Sequence, residues 1–450
     1  MTGQTKRFLN IKRNEWPLAL SLLVLLLVNT LVLELADVVA TAGFISSVGP
    51  RQILWLWIAD MVITLVSASL YATIVDRVQR VQLVGALFLV FSFLYLILRL
   101  LFSYGAPDWL TYPLLYIMSD QQYAIFPLAF WALSSDIYTM AESKRLFPII
   151  AAGAALGNVL GNGLAALSAT TLENQSSTTV ELLTLSAALF LAGFIFIWLV
   201  FRNREIRARQ SQETEFDVRE TTKVGVDFIK NVPIFTYLAL FMLLVGLSFT
   251  IVEYHFLFTI DQVVTSDPLR FQTFYGVYKT VLVVSTLLIQ WLVTGRFMER
   301  VGIKSTFFVV PSSLIVAAGS ALALPGLIGG VGGRFLARML QRAWDEPARK
   351  SLQGMIPDER RGRVSAFLDS YFYSFATIVG CLVLGGLLLA TSAGWLAQRT
   401  SIVIYLTLAG IAGAGALWAA LRIHQVYDKS LLNWRLSRPR RKSILDNIEF

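Results

Sequence analysis

The sequence predicts an all-α integral membrane protein with twelve transmembrane helices in two pseudo-symmetric six-helix halves. Three observations predict it. Hydrophobic residues make up 56% of the 450-residue chain and charged residues only 15%, against about 45–50% and about 25% in soluble domains. A water-soluble fold this apolar would have too little polar surface. Twelve apolar runs, each near the roughly 20 residues that cross a hydrocarbon core, fall six on either side of one polar stretch. Basic residues crowd onto alternate connections between those runs.

The first run, 16–40, follows a short basic start. It is too long for the apolar region of a cleaved signal, so it reads as a retained helix. Runs at 53–75, 81–103, 112–133, 147–169 and 182–201 complete an N-terminal half, residues 1–201. Residues 202–232, rich in Arg, Glu and Thr, form a cytoplasmic linker. Runs at 234–260, 274–294, 306–324, 327–344, 364–390 and 402–421 then build a C-terminal half, residues 233–450, ending in a basic cytoplasmic tail. The tenth run is the least regular, because three arginines interrupt it.

With the N-terminus inside, 30 of the 38 Lys and Arg residues fall on the inner side and 3 (Arg51, Arg270, Arg399) on outer connections. The remaining 5 lie within spans. The bias of basic residues toward the cytoplasmic side places both termini in the cytoplasm. The net charge of +9 therefore orients helices and requires no nucleic-acid partner. Cys381 stands alone, so neither a disulfide framework nor a Cys-rich metal site is expected. His255 and His424 do not make a metal centre by themselves. No nucleophile–base pair or phosphate loop emerges, so the reading is a non-enzymatic monomer without a cofactor. Its expected surroundings are the lipid bilayer of a bacterial inner membrane, since no transit peptide is visible.

An internal repeat supports the two halves. Ala72-Thr-Ile-Val-Asp76-Arg77-Val-Gln-Arg80 follows the second run, and Gly295-Arg-Phe-Met-Glu299-Arg300-Val-Gly-Ile-Lys304 follows the eighth. The two acids lie 223 residues apart, about half the chain. Gly157 and Gly161 are echoed at Gly380 and Gly385. A parallel repeat of six-helix halves is the major facilitator arrangement, and the acid–Arg loop resembles that superfamily's signature, departing from it at Ala72 and Gln79. An acid there can pair with a base or cap a helix end. Asp76, Arg77, Arg80, Glu299, Arg300 and Lys304, with Glu142, Lys144 and Arg145, are thus candidates for a cytoplasmic gate. The plainer reading is a solvated charged loop.

Ionisable residues at bilayer depth cost at least about 2.5–3.5 kcal/mol, so each needs a partner or a function. Arg334, Arg338 and Arg342 recur every four residues and so share one helix face, about 12 Å from first to last. Guanidinium forks on such a stripe suit a phosphate chain. The alternative is a segment near the interface whose arginines snorkel to headgroups. The preceding glycines 326, 329, 330, 332 and 333 lack a Lys-Ser/Thr ending, and read as a flexible loop with close helix packing rather than an anion nest. Glu34 and Asp37 lie one turn apart, near Asn29. They would carry protons or a co-ion, or answer Lys279 or Arg334. Asp60 and Arg99 read as a mutual pair. Glu253 and His255 occupy the seventh span, the repeat counterpart of the first, and a lone membrane histidine is more often a packing residue. Asp369 lies in the eleventh span. Gly153, Gly157 and Gly161 form a small-x-x-x-small contact surface.

Residues 116–163 resemble the ATP/ADP translocase-type nucleotide transporters. The likeness is carried by Tyr116-Ile-Met-Ser-Asp120, Phe130-Trp131, Asp136-Ile137 and Glu142-Ser-Lys144-Arg145-Leu-Phe-Pro148. That family shows Tyr-x-Met-Ser-Glu, Phe-Trp, Glu-Ile and Glu-Ala-Lys-Arg-Phe-Tyr-Pro at like spacing. Ile251-Val252-Glu253 and Met355-Ile356-Pro357-Asp358 are similar to two further segments. The resemblance implies that Asp120 and Glu253 stand where the family has functional acids. The family's first-span Arg-Asn-x-Lys-Asp meets Leu33-Glu34-Leu-Ala36-Asp37 here, and its later lysine meets Ser351 or Lys350. A divergent member is implied, moving a nucleotide or another phosphorylated anion.

The reading is an alternating-access transporter of a small anionic substrate, a nucleotide by preference, working by ATP/ADP-type exchange or proton-coupled uptake. Arg334, Arg338, Arg342, Asp120, Glu253 and Lys279 would bind substrate. Glu34, Asp37, His255, Asp60 and Arg99 would couple ions or pair. The competing readings are a proton-coupled carrier of a non-nucleotide solute and a non-transporting membrane sensor or docking subunit.

Overall fold

The computed structural model describes residues 15–437 except 75–77, 172–174, 203–217, 265–266, 357–363 and 366. Every regular element among them is helical. The first six rods are α1 (Trp16–Ser47), α2 (Ile53–Ile74), α3 (Arg80–Ser103), α4 (Asp108–Ile137), α5 (Met140–Thr171) and α6 (Gln175–Phe201). A short amphipathic helix, α7 (Val218–Asn231), lies in the expected linker. Then come α8 (Pro233–Val264), α9 (Pro268–Ile289), α10 (Gly295–Val301), α11 (Ile303–Thr306), α12 (Val309–Ala323), α13 (Leu327–Leu340), α14 (Glu346–Gln353), α15 (Tyr373–Ser392) and α16 (Gln398–Ser437).

Among the described residues, ten helical spans are long and apolar enough to cross a membrane. They match the expected spans except the fourth and tenth, which are helical but less apolar or shorter. Residues 119–122 of α4 are Ser-Asp-Gln-Gln, and two prolines lie inside that helix. α13 stops as an α-helix at Leu340. Most rods overrun their apolar runs. α1, α5 and α8 each have 32 residues, about 48 Å at 1.5 Å per residue against a hydrocarbon core of about 30 Å. Hydropathy marks only the lipid-immersed part of a helix, whereas backbone hydrogen bonding continues to the next breaker. Those breakers are visible: α1, α8 and α9 begin at or beside prolines, where the missing N–H costs nothing. Gly49 turns the chain after α1 at φ 104°.

The described residues fall into two compact units. One comprises Met1–Phe216, Glu253–Ile289 and Cys381–Leu396. Its central rod is α1, whose Leu22, Val32, Ala36, Val38, Ala40 and Ile45 have no accessible surface. α4, α5, α6 and α9 pack around it, as suits a helix that is apolar on every side. α3 joins through Phe88, whose ring lies 5.1 Å from both Phe126 and Phe190.

The glycines of α5 behave as a contact surface. A Cβ on Gly153, Gly157 or Gly161 would stand 2.3, 2.6 or 2.4 Å from the carbonyl oxygens of Leu23, Leu27 and Leu31. No side chain fits there, and α5 lies directly on the α1 backbone.

The other unit comprises Asp217–Val252, Gln290–Gly380 and Ala397–Phe450. α12 packs on α13 and α16, and Ser248 of α8 donates to the Ala409 carbonyl of α16 at 3.0 Å. Half of the glycine echo appears here. A Cβ on Gly380 would meet Thr250 of α8 at 2.9 Å, as one on Gly246 would meet Ala376. Gly385, in the first unit, has only ordinary contact, 3.9 Å from Leu54. Three π-turns interrupt rods of this unit, at Gln290–Thr294, Gln341–Asp345 and Phe367–Phe372.

Candidate functional site

In the first unit, polar side chains of α1, α2, α4 and α9 collect in an otherwise apolar interior. Gly161 sits 3.0 Å (from its notional Cβ) from the Glu34 Cβ, so the bare backbone of α5 leaves room for the Glu34 stem. Glu34 Oε2 lies 2.5 Å and Asp37 Oδ2 2.6 Å from Lys279 Nζ of α9. The ammonium also stands 5.7 Å from the centre of the Tyr275 ring. Of the alternatives for the first-span acids, the answer to Lys279 is the one the geometry makes. Lys279, expected among the substrate-binding bases, spends its charge on two carboxylates.

The remaining acids form a second knot. Asp60 is 1% exposed, and its carboxyl is within hydrogen-bonding reach of Asp120. Gln121 Nε2 donates to Thr64 Oγ1 at 2.9 Å and reaches Asp60 Oδ1 at 3.4 Å. Thr64 Oγ1 donates to Asp120 Oδ2 at 3.5 Å, and Ser67 bonds the Gln121 side-chain oxygen. The expected pair of Asp60 with Arg99 is not made: Arg99 Nε donates instead to Thr184 Oγ1 of α6, at 2.8 Å. Asp60 faces Gln121 of α4, whereas Arg99 of α3 faces α6. Asn29 is held by Gln122, whose Nε2 donates to its carbonyl and to Oδ1 at 2.9 and 3.1 Å. Gln122 Oε1 accepts from Tyr95 at 2.7 Å. Trp57 Nε1 donates to the Tyr116 hydroxyl at 2.9 Å. The stretch from Tyr116 to Asp120 that carries the family resemblance is therefore part of this seam. Gln121, Gln122 and Thr64 escaped the sequence reading because they are uncharged. Their only signal was two consecutive amides inside an apolar run.

The second unit holds the arginines. Arg334 is buried at 5% exposure. Arg338 stacks over Phe249 with its guanidinium carbon 5.0 Å from the ring centre, and its Nη1 donates to Gln341 Oε1 at 2.8 Å. Arg342 is half-buried. Arg334 and Arg338 lie on one α-helical stripe, whereas Arg342 falls inside the π-turn, which resets the stripe after Leu340. The preceding glycines pack. A Cβ on Gly329 would lie 2.3 Å from the Leu324 oxygen, and one on Gly333 would lie 2.7 Å from the Ala317 Cα. This is close approach to α12, as the packing alternative requires, and Gly326 makes the turn at φ 107°. In the first unit, His255 is buried on α8, where its carbonyl accepts from Thr259. Glu253 is half-buried two residues earlier.

The proposed gate residues separate. Asp76 and Arg77 lie outside the described residues, as does the Lys144 side chain. Arg80 Nε is 3.8 Å from Asp136 Oδ2. Glu142 forms a capping box with Thr139: its Oε2 accepts from the Thr139 N–H and hydroxyl at 2.9 and 2.8 Å. Arg145 pairs with Glu15 at 3.2 Å. Lys304 pairs with Asp428 at 2.7 Å, while Glu299 and Arg300 are exposed on α10. Lys350, one of the two matches to the family's later lysine, is 2.5 Å from Asp369, which also accepts from Gln353 at 2.9 Å.

The full chain is similar in fold to solved membrane transporters. The nucleoside transporter NupG, in a point-mutant form, superposes with a TM-score of 0.67 at 14% identity, covering 91% of this chain and 100% of that one. A bacterial homologue of the iron transporter ferroportin in its inward-facing state gives 0.60 at 15% identity, covering 94% and 99%. A bacterial homologue of the lysosomal transporter Spinster gives 0.55 at 15% identity, covering 95% and 98%. At these identities the likeness shows the fold alone. No curated protein matches the chain in sequence. Residues 106–324 match the family model of the TLC ATP/ADP transporters, and over that stretch the chain is similar to that family.

Proposed function

We propose that this membrane transporter carries a phosphorylated anion, a nucleotide first of all, by alternating access. The observation that carries the reading is the family match over residues 106–324, which contains Asp120 and Gln121 of the polar knot and the ion-paired Lys279. Arg334, Arg338 and Arg342 would neutralise phosphates, Arg338 with its planar fork already oriented by Phe249 and Gln341. Asp120 and Glu253 would order the remaining polar groups of the substrate. The two six-helix halves, 1–201 and 233–450, would be the moving bodies, with both termini cytoplasmic and the carrier a monomer. Arg80, Arg145 and Lys304, already in ion pairs, would close its inner end together with Asp76, Arg77, Glu142, Lys144, Glu299 and Arg300.

A second reading has its own observation. Glu34 and Asp37 share a single lysine, while Asp60 and Asp120 meet each other in a separate polar knot. Carboxyls in such excess at bilayer depth suit a proton or co-ion partner, so the uptake would be proton-coupled, and the solute need not be a nucleotide. Proteoliposomes decide. Labelled ATP entering only vesicles preloaded with ADP or ATP marks an exchanger, and entry driven by an imposed pH gradient marks proton coupling. Absence of ATP flux under both conditions, alongside uptake of another solute, would remove the nucleotide.

A further inference from the structure

Pro347 lies just after the arginine row and removes a backbone donor from the tenth rod. In an unbroken α-helix its N–H would serve the Ala343 carbonyl four residues back, and its ring would crowd that oxygen. The chain answers with the π-turn Gln341–Asp345, in which the Glu346 N–H bonds the Gln341 carbonyl. The wider register takes Glu346 away from Arg342, and the next donor along, residue 347, is the proline. The Arg342 carbonyl thus loses the Glu346 donor, and the Ala343 carbonyl has no N–H at residue 347 to accept from.

Both are met from the eighth rod, in the same unit. Gln290 Nε2 donates to the Arg342 carbonyl at 3.0 Å, and Thr294 Oγ1 donates to the Ala343 carbonyl at 3.3 Å. One turn on, the Phe297 ring stacks on Trp344 with centres 4.3 Å apart and planes 18° apart. Residues 290, 294 and 297 recur as i, i+4 and i+7, one face of a helix, against three consecutive residues of the partner. Gln290 and Thr294 bound a π-turn of their own. Two widened turns, each a local departure often found where a protein works, therefore meet and satisfy one another.

We propose that Gln290 and Thr294 are positioning residues for substrate binding. By capping the two carbonyls that lose their α-helical donors, they hold the tenth rod in the widened register that sets where Arg342 stands past the stripe of Arg334 and Arg338. Neither side chain touches the substrate. The proposal rests on the arginine row as the phosphate site.

The test uses the full-length purified carrier with ATP as probe. Thr294→Val removes the hydroxyl at nearly constant volume, and Gln290→Leu removes the amide. Each should weaken ATP binding about three- to tenfold, the span of one uncharged hydrogen bond, and Thr294→Ser should restore it. The diagnostic variant is Pro347→Ala, which returns an N–H to the Ala343 carbonyl. In that background Thr294→Val should alter affinity and melting temperature by less than half of its effect beside the native proline. Equal penalties in both backgrounds would overturn the clasp, and the melts report this even without ATP binding. If Arg342→Ala binds ATP like the parent, the arginine reading itself fails, and the positioning role with it. If Arg342→Ala weakens binding while Gln290→Leu and Thr294→Val do not, the arginines stand and the positioning role falls.

Discussion

Asp37 and Lys279 are 242 residues apart in the chain, yet the Asp37 Oδ2 closes to 2.6 Å from the lysine Nζ. With Glu34 on the same ammonium at 2.5 Å, one cation ties α9 to α1 through two carboxylates. Next to them, Gln272 Nε2 of α9 donates to the Ala165 carbonyl of α5 at 2.8 Å. A Cβ on Gly276 would stand 2.8 Å from the Asn162 oxygen. Gln272, Gly276 and Lys279 are i, i+4 and i+7, so a single face of α9 docks on α1 and α5.

Removing the cation should therefore cost more than removing the whole triad. Lys279→Ala leaves two carboxylates facing each other. Deleting one partner of a fully buried pair costs about 3–5 kcal/mol, and the 12–30% exposure of these side chains reduces that to roughly half through solvent screening. The melting temperature in detergent should fall for Lys279→Ala and recover substantially when Glu34→Gln and Asp37→Asn are added. A Lys279→Ala protein that melts with the parent would show that the triad stabilises nothing.

The α5 glycines make a steric prediction. Gly157→Val would drive its branched carbons into the Leu27 oxygen and the Leu31 nitrogen, 2.6 and 2.9 Å from a bare Cβ. Overpacking of this kind costs about 1–3 kcal/mol or more, and the rods cannot separate without losing α1. Gly163, with nothing within 4 Å of its notional Cβ, should accept alanine without loss. Monodisperse yield and melting temperature of the two variants give the comparison.

Gln122 bridges three groups that have no water to turn to: the Tyr95 hydroxyl, the Asn29 carbonyl and the Asn29 side chain. Gln122→Leu keeps the volume but strands the Tyr95 hydroxyl and the Asn29 side-chain oxygen, at about 1–3 kcal/mol for a buried unsatisfied group. The loss should appear as a lower melting temperature. It should shrink when Tyr95→Phe removes the stranded hydroxyl as well, and independent penalties would show that no such bridge exists.

Arg338 offers a test of the phosphate site. Its stack on Phe249 and its bond to Gln341 need a planar guanidinium, so Arg338→Lys, which keeps the charge, should still lose about tenfold in ATP affinity. Arg338→Ala should abolish ATP-induced thermal stabilisation. In the parent that stabilisation should weaken with added salt, as an exposed anion–guanidinium contact does. Equal ATP-dependent melts for all three proteins would make Arg338 a packing residue.

The fold was largely legible because each rod announces itself by composition. α1 is apolar on all sides and is the buried rod, and the four-residue glycine spacing on α5 foretold a close helix contact, whose partner in the structure is α1. Charge partners were legible only in part. That the first-span acids answer Lys279 was one of the open alternatives. That Asp60 meets Asp120 and Gln121 rather than Arg99 depends on which way α3 turns, and Arg99 turns to Thr184. A membrane helix uniformly coated in leucine and phenylalanine gives no amphipathic clue to that rotation. Pro347 was in plain view as a helix breaker, but the side chains that compensate for it stand about fifty residues earlier, on another rod. The arginine stripe was drawn on an unbroken 3.6-residue repeat and therefore missed the wider turn at Gln341.

One feature of the last rod bears on how this molecule can be imaged. α16 runs unbroken for 40 residues. Near its middle, Trp418 carries Arg422 over its ring at 5.2 Å, a pairing of the kind that marks a membrane–water boundary. The fifteen residues from 423 to 437 continue as helix, about 22 Å of stiff stem clamped at its base by Lys304 and Asp428. A helical marker protein spliced onto that stem in register would turn with the carrier as one body. A small, featureless membrane particle would then have a rigid landmark for aligning electron micrographs.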